Sequence, residues 1–89
     1  MSYQYTTERN AIFTDDGQRE FTRGRDKVLA AVRATGAITM GKAMNMFRLG
    51  NTWAMMACVD RMVELGDLTE VATDKQHVAQ YRVFLGKLT

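Results

Sequence analysis

The chain has 89 residues, a formal net charge of +2, 46% hydrophobic and 25% charged residues, one cysteine and no proline. That length makes one domain with a single small core, too little for a core plus an enclosed catalytic cleft, and the composition is that of a folded chain rather than a disordered one. No apolar run approaches the ~20 residues that span a bilayer, and the N-terminal MSYQYTTERN lacks a signal peptide's apolar stretch, so the expectation is an intracellular protein with no membrane partner.

Residues 1–13 mix Tyr, Thr and charge and end in the β-prone pair Ile12 and Phe13, which predicts an N-terminal arm, frayed or paired as an edge strand. The domain proper is then residues 14–89. Thr14, Asp15 and Asp16 are N-cap candidates and Glu20 suits a first turn, so a helix is expected from about residue 16 to Thr35. Phe21, Val28, Leu29 and Val32 form its apolar stripe, Gly24 softens its middle, and Gly36 closes it. Five of the twelve basic residues, Arg19, Arg23, Arg25, Lys27 and Arg33, lie here against only Glu20 and Asp26. This is either a solvated helix face or a surface turned to phosphate or an acidic partner.

Ala37 and Ile38 read as a short extended link. Thr39 caps a second helix in which Met40, Ala43, Met44 and Phe47 follow the i, i+3, i+4, i+7 rule, leaving Lys42 and Met46 outward. Arg48, Leu49 and Gly50 make a tight turn, and Asn51 or Thr52 caps a third helix, an arrangement of the helix-turn-helix kind. Stepping that third helix by about 100° per residue gathers Met55, Cys58, Val59, Met62, Leu65 and Gly66 on a core face. The opposite face carries Trp53, Met56, Ala57, Asp60 and Glu64. Gly66 is a natural stop, after which residues 68–72 and 78–85 read as two strands around a polar loop. On the second strand Ala79, Tyr81, Val83 and Leu85 share one face, and Gln80, Arg82 and Phe84 the other. The expected fold class is α+β, three helices followed by a C-terminal β-hairpin.

That order, with VDRMVELGDLTEV at residues 59–71 and QYRVF at residues 80–84, resembles the winged helix-turn-helix superfamily, MarR-like regulators among them, over about residues 25–85. The resemblance implies that Met62 packs inward, that the Leu65-Gly66 step turns the chain into the wing, and, for DNA-binding members, that the third helix enters the major groove. Fold alone does not set function. Base readout needs Arg, Lys, Asn, Gln or Ser, and no Arg or Lys lies between Arg48 and Arg61. A DNA-binding reading therefore rests on Lys42, Arg48, Asn51, Thr52 and the wing residues Lys75 and His77, in a dimer that covers two half-sites.

The residues favour a non-catalytic protein-contact module, with DNA binding as the alternative. Met46, Trp53, Met56 and Ala57, with Asp60 at the margin, would form an apolar patch with an aromatic anchor, suited to a small accessory or phage-type inhibitor protein of a nucleic-acid-handling complex. In the alternative, Trp53 folds back on the arm near Tyr3, Tyr5 or Phe13, or forms a homodimer seam. Catalysis is not expected: one His, one Cys and no opposed carboxylates assemble neither a triad nor a metal site, and no cofactor motif is present. His77 falls in a predicted turn, exposed to solvent. Cys58, alone and on the core face, reads as packing.

Overall fold

Thr14 starts the longest helix by accepting the Gly17 N–H on its side-chain oxygen at 2.9 Å, and the helix, α2 (Asp15–Thr35), carries Asp15 and Asp16 in its first turn, where carboxylates favour the positive end of the helix dipole. In the computed structural model, which describes residues 3–71 and 81–86, α2 ends at Gly36, held at φ 87° with its N–H on the Val32 carbonyl. An L side chain would be strained in that left-handed conformation. Phe21, Val28 and Val32 are buried along one side as the spacing requires. Gly24 does not soften the helix. A Cβ there would overlap the Phe47 ring, so the glycine is what lets Phe47 reach the helix and stack on Phe21, with ring centroids 6.0 Å apart.

The segment after Gly36, expected as a short extended link, is a paired strand. β1 (Ala37–Thr39) pairs antiparallel with β3 (Val83–Gly86), and β3 with β2 (Leu68–Val71), giving the order β1-β3-β2. The register sets Ile38 opposite Phe84, and both are buried, as is Leu68, so one sheet face closes the core. Three residues form a strand here because Ile38 is one of its anchors and β3 supplies the hydrogen bonds. The result is an α+β fold, mostly helical, with a small three-stranded antiparallel sheet.

Between β1 and β2 lie α3 (Met40–Met44) and α4 (Thr52–Glu64). Thr39 caps α3, accepting the Lys42 N–H at 3.3 Å, and Asn51 caps α4, accepting the Ala54 N–H at 2.9 Å. α4 terminates with Gly66 at φ 85°, its N–H on the Val63 carbonyl and the Asp67 N–H on the Met62 carbonyl, the paired bonds of a Schellman stop. Leu65, expected in the core, is 49% exposed because it is the cap residue and has left the helical stripe.

From Tyr5 to Phe13 the N-terminal arm is helical and not an edge strand. α1 (Tyr5–Glu8) runs into a 3₁₀ segment (Arg9–Phe13), and Ile12 is fully buried. The arm meets both α2 and α4. Gly17 permits the tight entry to α2, since a Cβ there would stand 2.7 Å from the Ile12 carbonyl oxygen. Nothing in the local pattern of residues 3–13 dictates this; the burial of Ile12 against the rest of the chain does.

Candidate functional site

Between residues 27 and 59 the chain carries no Asp or Glu at all. Its four cations there, Lys27, Arg33, Lys42 and Arg48, are all exposed, and none has an ion-pair partner among the described residues. Lys42 on α3 and Arg48 in the turn stand on either side of the exposed Asn45, with the exposed Asn51 and Thr52 following at the start of α4. The candidate polar set Lys42, Arg48, Asn51 and Thr52 is thus at the surface along one continuous stretch. Lys75 and His77 lie outside the described residues. The basic segment at 19–33 contributes less than its count suggests. Arg19 is bonded to Asp16, Arg23 to Glu20 and Arg25 to Asp67, which leaves Lys27 and Arg33.

The apolar set is placed differently from its expectation. Met56 and Ala57 are buried, Ala57 completely, while Trp53 and Met46 are half-buried against the core. No broad apolar patch is presented by α4. The cause is the arm, which lies across the helix face assigned to solvent. Tyr3 donates its hydroxyl hydrogen bond to Asp60 Oδ2 at 2.6 Å, Tyr5 donates to Glu64 Oε1 at 2.7 Å, and an Arg9 guanidinium N–H reaches the same Glu64 oxygen at 3.1 Å. Arg9 and Arg61 both lie over the Phe13 ring, with guanidinium carbons 5.0 and 5.1 Å from its centre. The sequence held a signal for this cover: three apolar residues, Trp53, Met56 and Ala57, on the helix face assigned to solvent.

Asp60, expected at the margin of a partner surface, is instead committed within the protein. Arg82, just before β3, donates from Nη2 to Asp60 Oδ1 at 2.7 Å, and grips Glu70 on β2 with two bonds, Nε to Oε2 at 2.8 Å and Nη2 to Oε1 at 2.7 Å. Its guanidinium carbon is 5.3 Å from the Phe84 ring centre, and its carbonyl accepts the Met40 N–H at 2.7 Å. One residue therefore ties α4, β2, β3 and the start of α3 together. The Arg82 hydrogen bonds hold the Glu70 carboxyl below its ordinary value, and the Glu70 bonds in turn raise Arg82. Glu64 is lowered by the Tyr5 hydroxyl and by Arg61, whereas burial, then the bond to Glu64, pushes Tyr5 up to about 12. Sequence reading put Arg82 on the same strand face as Phe84 but missed its role, because its partners are 12 and 22 residues away.

Both acids of α4, Asp60 and Glu64, are thus paired within the protein. Burial pushes the Cys58 thiol up to about 12, which leaves it protonated and unreactive. Among the described residues no three His, Cys, Asp or Glu side chains gather as a metal site, and no helix is long and apolar enough to cross a membrane. Comparison with protein-family models, with curated proteins and with solved structures finds no match to this chain.

Proposed function

We propose that the chain is a winged-helix module that binds duplex DNA through α3, the turn and the first turn of α4. One feature supports the fold assignment: the helices α2, α3 and α4 are followed by the paired strands β2 and β3, the order of three helices and a hairpin that the sequence resembles. The observation that carries the function is the acid-free stretch at residues 27–59 with Lys42 and Arg48 exposed on it. A stretch that lacks carboxylates of its own and carries exposed cations with no ion-pair partner among the described residues gains by meeting a polyanion, because each phosphate neutralised releases condensed counterions. Lys42 and Arg48 supply backbone contacts that set the register, and Asn51 and Thr52 reach base edges. Lys75 and His77, wing residues by the sequence resemblance alone, would add phosphate contacts, and a dimer covers two half-sites.

With two to four phosphate contacts per module, log K should fall against log salt with a slope of about −2 to −4, since each contact contributes about −0.9. A salt series with random-sequence duplex tests this, and Lys42→Ala and Arg48→Ala should each flatten the slope by about 0.9. Absence of binding at low salt would overturn the proposal. It would return the protein-contact reading, now reduced to the half-buried Met46 and Trp53 beside Arg48, whose test is partner capture by the wild type against Trp53→Ala.

A further inference from the structure

Resting on the DNA-binding reading, we infer that the contact surface continues from the turn onto α2, where Lys27 supplies a further phosphate contact and Arg33 does not. Both are exposed on α2, and neither belongs to the elements that carry Lys42 and Arg48. Gly24 separates them. A Cβ at Gly24 would overlap the Phe47 ring and stand 2.9 Å from the Met46 carbonyl oxygen, so α2 meets residues 46 and 47 with no side chain of its own between, and Arg48 is the next residue. Lys27 follows Gly24 by three positions, about 4.5 Å along the helix axis and about 60° around it. It therefore leaves α2 at the edge of that contact, beside the turn. Arg33 follows by nine positions, about 13.5 Å along and about 180° around, on the side of α2 away from the turn.

The charges around Lys27 leave its ammonium available to an anion. Residues three and four positions apart are neighbours on a helix, and for Lys27 these are Arg23, Gly24, Ala30 and Ala31, none of them acidic. Arg19, Arg23 and Arg61, by contrast, each bond an acid three positions away. Glu20, two turns back on the Lys27 side, is held by Arg23 through bonds of 3.0 and 3.1 Å. Asp26 points about 160° away from Gly24, and so away from the turn. Lys27 has no ion-pair partner among the described residues. With Lys42 and Arg48 it places three such cations on adjoining elements, and a phosphate strand neutralises them with release of its counterions.

The experiment is a salt series on random-sequence duplex with the full-length protein, comparing wild type, Lys27→Ala, Lys27→Arg and Arg33→Ala. The two alanine variants each remove one exposed charge from α2, so they change the long-range field alike, whereas a direct phosphate contact is lost in only one of them. Lys27→Ala should flatten the slope of log K against log salt by about 0.9, Lys27→Arg should restore it, and Arg33→Ala should leave it at the wild-type value. Lys27→Ala combined with Arg48→Ala should flatten it by about 1.8, the sum of two independent contacts. Lys27→Gln repeats the test with a longer neutral side chain should the alanine variant melt below the wild type. An unchanged slope without the Lys27 charge, or equal flattening in the Lys27 and Arg33 variants, would overturn the inference while leaving DNA binding intact. No binding by the wild type at low salt would bring down the DNA-binding reading and this inference with it.

Discussion

Arg82→Met removes the cation at the junction of α4, β2 and β3 while keeping most of the apolar stem. The side chains of Arg82, Asp60 and Glu70 are 17%, 13% and 27% exposed, so two largely buried carboxylates would be left facing each other. Breaking a fully buried pair costs about 3–5 kcal/mol; residual solvent access and the Tyr3 bond still on Asp60 reduce this to about 2–4 kcal/mol. A domain of this size has about 4–13 kcal/mol in all, and the loss corresponds to a fall in Tm of roughly 10–30 °C. Urea titration followed by far-UV circular dichroism at several pH values measures it. Glu70 has a depressed carboxyl in the folded protein, so its contribution is complete above the unfolded carboxyl value and is lost as pH falls through the folded one. The gap between wild type and Arg82→Met should therefore be widest near pH 7 and narrow below the ordinary glutamate value of 4.5. Glu70→Gln in the Arg82→Met background should recover part of the loss. A gap under about 1 kcal/mol at pH 7, or one that does not change on acidification, would refute the argument.

Gly24→Ala should destabilise by about 1–3 kcal/mol in thermal melts, despite alanine's higher helix propensity, because the new Cβ overlaps the Phe47 ring and stands 2.9 Å from the Met46 carbonyl oxygen. Tyr3→Phe deletes the bond to Asp60 and should cost about 1–2 kcal/mol in urea titration; an unchanged midpoint would mean that the arm contributes nothing through that hydroxyl. Cys58, fully buried with its thiol pushed up, should resist an aromatic disulfide reagent at pH 8 in the native protein and react at once in denaturant.

The helices of the domain were legible because their signals are local. Thr14, Thr39 and Asn51 cap as their chemistry dictates, and Gly36 and Gly66 stop helices by taking positive φ. The apolar stripe of α2 survives, with Phe21, Val28 and Val32 buried and Leu29 partly buried against the core. What could not be read was decided by partners distant in sequence. Residues 3–13 are too short to form a helix on their own strength, and their conformation follows from Ile12 entering a core built by other segments. β1 is a strand because β3 lies beside it, 44 residues further on at the pairing of Thr39 with Val83 and 48 at that of Ala37 with Leu85.

The candidate site shows the same division. Lys42, Arg48, Asn51 and Thr52 were legible as surface residues because nothing in the fold competes for them. Trp53, Met56, Ala57 and Asp60 were not, because the face they share is claimed by the arm and by Arg82. This bears on charge as well as on shape. The acids at positions 60, 64, 67 and 70 each meet an arginine, whereas the cations at 27, 33, 42 and 48 meet none among the described residues. A whole-chain charge of +2 conceals that asymmetry. The charge free to act on a partner is the unpaired part, and from α3 into the first turn of α4 that part is wholly positive.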